Sequence, residues 1–366
     1  MKAAILREPG SLVIEDVTRA APGPQEVVVQ IAAAGLCHTD LHFLDGHMAC
    51  PTPTILGHET AGVVTEVGRD VRGLAPGDHV IGCLSAFCGS CEYCLTGRPS
   101  ICEGAGNLVC QGPSPRLADG SGAPISQFMH LSAFADEALV HQNAVVKVNS
   151  AIPLDRAAII GCAVMTGFGA VTHTAKVSPG ESVAVIGCGA VGLSIVQCAR
   201  LAGALNIVAI DLNPERLAVA RSLGATATVD PRAGSVVDQV HDLTDGRGVH
   251  VAYEAVGRAD LVESALLMTR KGGLTVMVGL LPPEQRLVLP FQPFVAERRL
   301  MGCDMGSNRF KIDMPRLAEL YLQGRLNLDA MVTSRITLDA INGGFDGMRS
   351  GTGVRTVVTW PSGSVA

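Results

Sequence analysis

Cys88, Cys91, Cys94 and Cys102 stand in a C-x2-C-x2-C-x7-C spacing. Four thiolates so placed can close a tetrahedron around one metal ion and leave no coordination position open. The two-residue gaps let tight turns aim neighbouring sulfurs at one centre, with Gly89 and Gly97 available for the turning. Zinc suits such a set; an iron–sulfur cluster also accepts four cysteines at similar spacings. A closed thiolate shell points to structure rather than catalysis. A different mixture lies upstream. Residues 35–42, Gly-Leu-Cys-His-Thr-Asp-Leu-His, pack a thiol, two imidazoles, a hydroxyl and a carboxylate into one short segment. Gly57-His58-Glu59 follows about twenty residues later, and Gly161-Cys162 much further on. Two thiolates and one imidazole would bind zinc and leave a fourth position open, which a Lewis-acid site requires. Taken singly, each of these residues is ordinary and reads as structural.

A third constellation is the run Gly187-Cys188-Gly189-Ala190-Val191-Gly192. Alone, G-x-G-x-x-G is a weak signal. Here an apolar strand, Val183-Ala184-Val185-Ile186, precedes it and a helical stretch follows, which is the context a dinucleotide fingerprint needs. Gly187 permits the tight turn, Gly189 lets backbone approach a pyrophosphate, and Gly192 allows close helix–strand packing. The helix N-terminus, with Ala190 and Val191 in its first turn, would face the phosphates. The next strand, Ile207–Ile210, ends on Asp211. An acid there accepts the ribose 2′-hydroxyl and repels a 2′-phosphate, favouring NAD over NADP. Arg216 is a candidate neighbour of the adenosine ribose.

The elements that must position these groups fall into two patterns. Up to about residue 150 the chain reads as short strands between Gly/Pro turns, such as Val27–Ile31, Gly62–Val67 and His79–Gly82. That predicts a mostly β, partly open barrel with loops carrying the chemistry. Residues 104–127 are rich in Gly, Pro and Ser without a period, which predicts a long surface loop. From about 165, strands (Ser182–Ile186, Ile207–Ile210, Val249–Tyr253, Leu274–Val278) alternate with helical stretches (Val191–Ala202, Pro214–Leu223, Leu261–Met268). Such alternation predicts a Rossmann doubly wound parallel sheet, hence an α/β protein. A helix near Pro315–Gln323 and a strand Arg355–Thr359 that returns to the first domain complete the expectation.

These motifs together resemble the medium-chain zinc alcohol dehydrogenase family. The resemblance runs from Met1-Lys2-Ala3 to Gly353-Val354-Arg355-Thr356 and is carried by G-x-C-H-T-D, by G-H-E-x-x-G at Gly57–Gly62, by the four-cysteine lobe and by the fingerprint turn. It implies a GroES-like catalytic domain over 1–163 and 305–366, with the structural zinc lobe near 88–102, and a Rossmann NAD-binding domain over 164–304. It implies two zincs per chain, with Cys37, His58 and Cys162 holding the catalytic one. Asp40 is similar to the carboxylate that orients the histidine ligand, and Glu59 to a residue that approaches the metal transiently. Thr39 resembles the hydroxyl that takes the substrate proton, and His42 the exit of that relay. His38 and Arg355 resemble the pyrophosphate contacts. A neutral histidine where other members carry arginine would loosen NADH and make its binding pH-sensitive. Met48, Leu84, Phe128, Met129 and Leu280 would line an apolar substrate pocket. Asp304 falls where the family is often apolar, with no role assigned.

The activity this implies is reversible hydride transfer between a primary or secondary alcohol, aliphatic or aromatic, and NAD. Cys162 stands where polyol dehydrogenases usually carry Glu, which speaks against a sugar alcohol. Three alternatives stay open: a thiol-adduct formaldehyde dehydrogenase, with Arg98 and Arg116 as anion contacts; a zinc-free quinone-reductase type; and a non-catalytic NAD-binding zinc scaffold or redox sensor. The 104–127 insertion resembles that of longer dimeric members, so a homodimer is expected, with a tetramer as the alternative.

Composition sets the frame. At 366 residues, 48% hydrophobic and 17% charged, the chain suits two globular domains. A net charge of −6 without a Lys/Arg cluster excludes a nucleic-acid surface and a polybasic membrane patch. The apolar start Met1–Leu6 is ended by Arg7 and Glu8 and does not suit a secretion signal. The uncharged stretches 157–175 and 182–199 contain Gly and polar residues and read as buried segments rather than membrane spans. A cytoplasmic protein is therefore expected, in which 12 cysteines mean metal rather than disulfides. Cys50, Cys83, Cys110, Cys188, Cys198 and Cys303 read as small apolar filler.

Overall fold

A computed structural model describes residues 1–108, 115–282 and 284–360. Cys110 and part of the 104–127 segment lie outside these. The chain divides into two compact units, Met1–Cys162 with Arg309–Ala366, and Ala163–Asn308.

The first unit is built on a seven-stranded sheet whose path runs Val145–Lys147, His79–Gly82, Glu59–Val67, Glu26–Gly35, Arg355–Thr359 and Val332–Ile336, with Glu137–His141 also paired to Glu26–Gly35. Its central pair, Glu26–Gly35 and Glu59–Val67, is antiparallel. Val27, Val28, Ile31 and Ala34 are buried, so this strand is covered on both faces. Register is what matters for function. Gly35 lies opposite Glu59, and Thr60 opposite Gly82. The segment leaving one strand and the segment entering its neighbour therefore begin side by side.

A second sheet orders Val13–Asp16, Lys2–Leu6, Thr54–Ile55 and Ser126–Gln127. The expected surface loop at 104–127 is thus only partly irregular. It holds a 3-10 turn at Ala105–Leu108 and short strands at Leu117–Ala118 and Ser126–Gln127. Leu117 and Ile125 explain this: both are buried in a small core with Ala3, Ile5 and Ile55. Two anchoring apolar residues are too few to show a period.

The second unit holds a six-stranded sheet in the order Ala227–Val229, Asn206–Ile210, Ser182–Ile186, Val249–Glu254, Thr269–Met277 and Arg299–Gly302. Every pair is parallel. All five residues of Ser182–Ile186 are buried, as expected of a central strand with helices on both faces. The order reverses between Ser182–Ile186 and Val249–Glu254, which creates the crevice where open α/β sheets bind ligands. The long apolar helical stretch Leu154–Ala175 is 78% buried in its most apolar window.

Candidate active site

Cys37 closes the run out of the Glu26–Gly35 strand and starts the helix His38–Leu44. Asp40, in the first turn, folds back so that Oδ2 accepts the Cys37 N–H at 3.2 Å. Its Oδ1 accepts the Gly57 N–H at 3.1 Å and meets His58 Nδ1 at 3.0 Å. One buried carboxylate thus ties both strand ends together and orients the imidazole. With Nδ1–H given to Asp40, Nε2 is the His58 atom left to ligate a metal. That atom is buried and has no partner among the described residues.

Cys162 arrives from a different part of the chain, inside a π-helical turn, Ile160–Val164. The preceding glycine permits the approach: a Cβ at Gly161 would stand 2.7 Å from the Gly82 carbonyl oxygen. Single π turns inside helices concentrate at functional sites. The ligand atoms of Cys37, His58, Glu59 and Cys162 all lie within 4.8 Å of one another, and all four residues are buried. Gly35 and Gly57 make the room. A Cβ at Gly35 would meet Glu59 Oε2 at 2.2 Å; Gly57 holds φ at +94° with Phe134 backbone and ring at 2.8 Å from any Cβ.

The electrostatics fit a cation. The hydrogen bond from Cys162, and then the His58 charge, hold the Cys37 thiol well below the usual thiol range. Cys162 is pushed up by the same bond and by burial. Burial opposes charge on His58, but Asp40 and Cys37 outweigh it and raise its pKa. Burial pushes Glu59 up to about 8 against the pull of Arg355. A buried thiolate, a second thiol, an oriented imidazole with an orphaned nitrogen and a nearby carboxyl are a donor set for zinc, whose charge would neutralise the assembly.

Arg355 lies 5% exposed, donates to the Leu36 carbonyl and pairs with Glu59 at 3.3 Å. Its guanidinium therefore turns inward onto the donor cluster. His38 is exposed and Thr39 and His42 are half-buried, with the His42 ring 6.0 Å from that of His47. Phe128 lies edge-on to His58 at 6.3 Å and to Phe43 at 4.9 Å. Phe128 joins the main core cluster of this unit, and Met48, Leu84 and Met129 pack against it half-buried. Ser132 fixes Phe128: its Oγ accepts the Phe128 N–H at 2.9 Å and donates to the Ile55 carbonyl at 2.8 Å. Met129, His130 and Ser132 all hold positive φ, so this turn is strained around the ring it presents.

The four-cysteine lobe is a separate centre. Cys91 Sγ is 3.5 Å from Cys94 Sγ and 3.8 Å from Cys102 Sγ, which is 3.5 Å from Cys88 Sγ. Backbone N–H groups of Ser90 and Cys91 point at the Cys88 sulfur and, with the Ser90 hydroxyl, pull its pKa down to about 5. All four sulfurs converge as a closed, half-exposed set.

In the second unit, Gly187 takes φ +93° and a Cβ at Gly192 would stand 1.7 Å from the Gly187 carbonyl oxygen, so both glycines are required. Gly189 caps the helix Ala190–Leu201, whose first-turn N–H groups, those of Ala190, Val191 and Gly192, are the phosphate-binding donors of such a turn. Asp211 accepts from Cys188 N at 2.6 Å and Asn213 N at 2.8 Å, locking its carboxylate at the mouth of the turn. Arg216 sits close enough to act electrostatically on the Cys188 thiol. Leu280 is 47% exposed.

Two family models match the chain: the alcohol dehydrogenase GroES-like domain over residues 23–150 and the zinc-binding dehydrogenase over residues 190–321. An alcohol dehydrogenase zinc-binding domain protein from Burkholderia ambifaria is 35% identical, with a TM-score of 0.94 over 98% of both chains. A benzyl alcohol dehydrogenase from Acinetobacter calcoaceticus is 30% identical, with a TM-score of 0.91 over 98% of this chain and 99% of that one. A zinc-binding dehydrogenase from Sinorhizobium meliloti bound to NADP is 28% identical, with a TM-score of 0.82 over 98% and 99%. The chain belongs to the zinc-binding alcohol dehydrogenase family.

Membership makes this dehydrogenase a zinc-dependent, NAD-linked oxidoreductase of alcohols and aldehydes with a GroES-like and a Rossmann unit. It removes the zinc-free and non-catalytic alternatives, and the iron–sulfur reading of the lobe with them. Sequence reasoning missed the part played by three residues of the dehydrogenase. Gly35 makes space for Glu59, and Ser132 fixes Phe128; neither carries a local signal. Glu254, a buried acid ending the apolar strand Val249–Glu254, did carry one.

Proposed function

We propose that this dehydrogenase oxidises primary or secondary alcohols bearing an aliphatic or aromatic group, using NAD in preference to NADP, and runs the reverse reduction of aldehydes and ketones. The observation that carries this is the buried Cys37–His58–Cys162 set with the Phe128 ring against His58 and the apolar core cluster around it. Bound zinc supplies Lewis acidity toward an alcohol oxygen, and bound NAD an acceptor for hydride. Cys37, His58 and Cys162 hold the metal, and Asp40 holds His58 in the tautomer that ligates. Phe43 and Phe128 exclude water and receive the apolar group of the substrate. Thr39 Oγ takes the hydroxyl proton and His42, half-buried, returns it to solvent. The Gly187–Gly192 turn binds the pyrophosphate; Asp211, fixed by two N–H groups, keeps lone pairs for the ribose 2′-hydroxyl and repels a 2′-phosphate.

The thiol-adduct alternative needs free cations. Arg116 is committed to Glu26, the Leu139 carbonyl and Gln127, and Arg98 lies over the Tyr93 ring in the zinc lobe. This favours the simple alcohol. A panel of 1-alkanols, benzyl alcohols and S-hydroxymethylglutathione, run with NAD and NADP in parallel, tests the reading. A kcat/KM highest for the glutathione adduct, or equal for both cofactors, would sink it.

We also propose a cytoplasmic homodimer. The Arg299–Gly302 strand ends the parallel sheet, with no further strand paired to it among the described residues and Met301 exposed, a surface suited to strand pairing with a second copy. Light scattering gives the mass; a monomer or tetramer would refute the dimer.

A further inference from the structure

Glu254 is fully buried at the end of its strand, and neither zinc centre nor the fingerprint turn uses it. Its Oε1 accepts the N–H groups of Val256 and Gly257, each at 2.8 Å, and of Arg258 at 3.4 Å. These residues form the turn into the helix Ala259–Met268. Its main-chain carbonyl accepts Val278 N at 2.8 Å and Gly279 N at 2.9 Å, in the turn that leaves the neighbouring strand Thr269–Met277. One residue therefore ties together the turns at the carboxyl ends of two adjacent parallel strands. The turns interlock closely: a Cβ at Gly279 would stand 2.2 Å from Gly257 N, and one at Gly257 2.4 Å from the Leu280 carbonyl oxygen.

The second carboxylate oxygen, Oε2, is buried without a hydrogen-bond partner among the described residues. Burial pushes the Glu254 pKa up while the three N–H groups hold it down. Burying an acid with an orphaned oxygen costs stability, so its presence points to a task other than holding the core.

The place of these turns in the sheet suggests the task. Glu254 stands in register with Ile186, and Ala255 N donates to the Ile186 carbonyl at 2.9 Å. A Cβ at Gly187 would meet Val256 Cγ2 at 2.6 Å. The tied turns thus flank the fingerprint on the side away from Asp211, which lies on the Asn206–Ile210 strand side. A dinucleotide with its pyrophosphate at Gly187–Gly192 and its adenosine ribose at Asp211 must lay its other nucleoside over the ends of the Val249–Glu254 and Thr269–Met277 strands.

We propose that Glu254 is a positioning residue for the nicotinamide half of the cofactor, setting the backbone of Val256–Arg258 and Val278–Leu280 in the shape that receives it. The inference rests on the dinucleotide reading of the fingerprint and Asp211. Calorimetric titration of the zinc-loaded protein with NADH, and separately with ADP, which keeps the adenosine and the pyrophosphate and lacks the nicotinamide nucleoside, tests it. Glu254→Leu should weaken NADH at least about tenfold and leave ADP within about twofold. Glu254→Gln keeps an acceptor oxygen for the three N–H groups and should recover most of the loss. Glu254→Asp, which withdraws the acceptor by one methylene without removing the charge, should bind NADH weakly and serves if the leucine variant does not fold. Equal weakening of both ligands, unchanged NADH binding, or no recovery by glutamine would overturn the proposal. A wild-type protein that binds neither ligand would overturn the dinucleotide reading itself.

Discussion

The two sulfur-rich centres of this dehydrogenase use similar donors and are built in opposite ways. The lobe's cysteines lie half-exposed within one short segment, and its N–H···S contacts come from residues of that same segment. The Cys37–His58–Cys162 centre is buried, and its donors come from three separated segments held by strand register, by one carboxylate and by a π turn. A closed set can be assembled locally because nothing needs to reach it. A reactive set must leave one side open, so the remaining geometry has to be imposed by the fold around it.

His58→Ala is the variant that should break this contrast most sharply. It should lower kcat/KM at least about a thousandfold, some 4 kcal/mol of transition-state stabilisation, and drop zinc content from two per chain to one with the melting transition retained. Two zincs with normal turnover would end the assignment. Asp40→Asn is expected to act through His58 rather than directly, lowering zinc affinity at the buried centre about 10- to 100-fold. Competition with a chelator reads this; an effect on the lobe zinc instead would contradict it. Cys91→Ser should reverse the pattern, lowering the melting temperature by roughly 5–10 °C while turnover per folded molecule stays near normal. A loss of turnover without a loss of stability would show that the lobe serves chemistry.

The smallest effect concerns the ground beneath the lobe. Lys311 donates to the Gln142 carbonyl beside the Phe87–Phe310 ring contact, and burial lowers its pKa to about 8 from 10.5. The buried ammonium costs the folded state in full below pH 8. The cost fades as pH rises toward 10.5, because the unfolded chain holds its proton longer. Wild type should therefore gain stability relative to Lys311→Met between pH 8 and 10.5, measured by urea midpoints; a constant difference would refute the shift.

The same contrast explains what could be read from the sequence. The four cysteines and the Gly187–Gly192 turn with Asp211 were legible because their geometry is local and spacing encodes it. The catalytic donors became convincing mainly through family resemblance, since nothing near Cys37 records that Gly35 stands opposite Glu59. The alternation of strand and helix pointed to the Rossmann sheet, whose central strand Ser182–Ile186 is one buried run. The helix expected near Pro315–Gln323 runs Phe310–Leu322 instead, with Pro315 inside and Asp313 accepting the Arg309 N–H at 2.9 Å near its start. Glu254 was readable as an acid ending an apolar strand, but only the crevice between the strand ends gives it meaning.

The π turn that delivers Cys162 has a consequence in time as well as space. The lobe's first and last ligands, Cys88 and Cys102, are 14 positions apart. A loop that short closes fast and could capture zinc as soon as the segment leaves the ribosome. The reactive centre must wait for its last donor, at position 162, and for the long-range strand pairing that aligns the other two. A nascent chain should therefore be metallated in a fixed order, the structural lobe before the reactive centre.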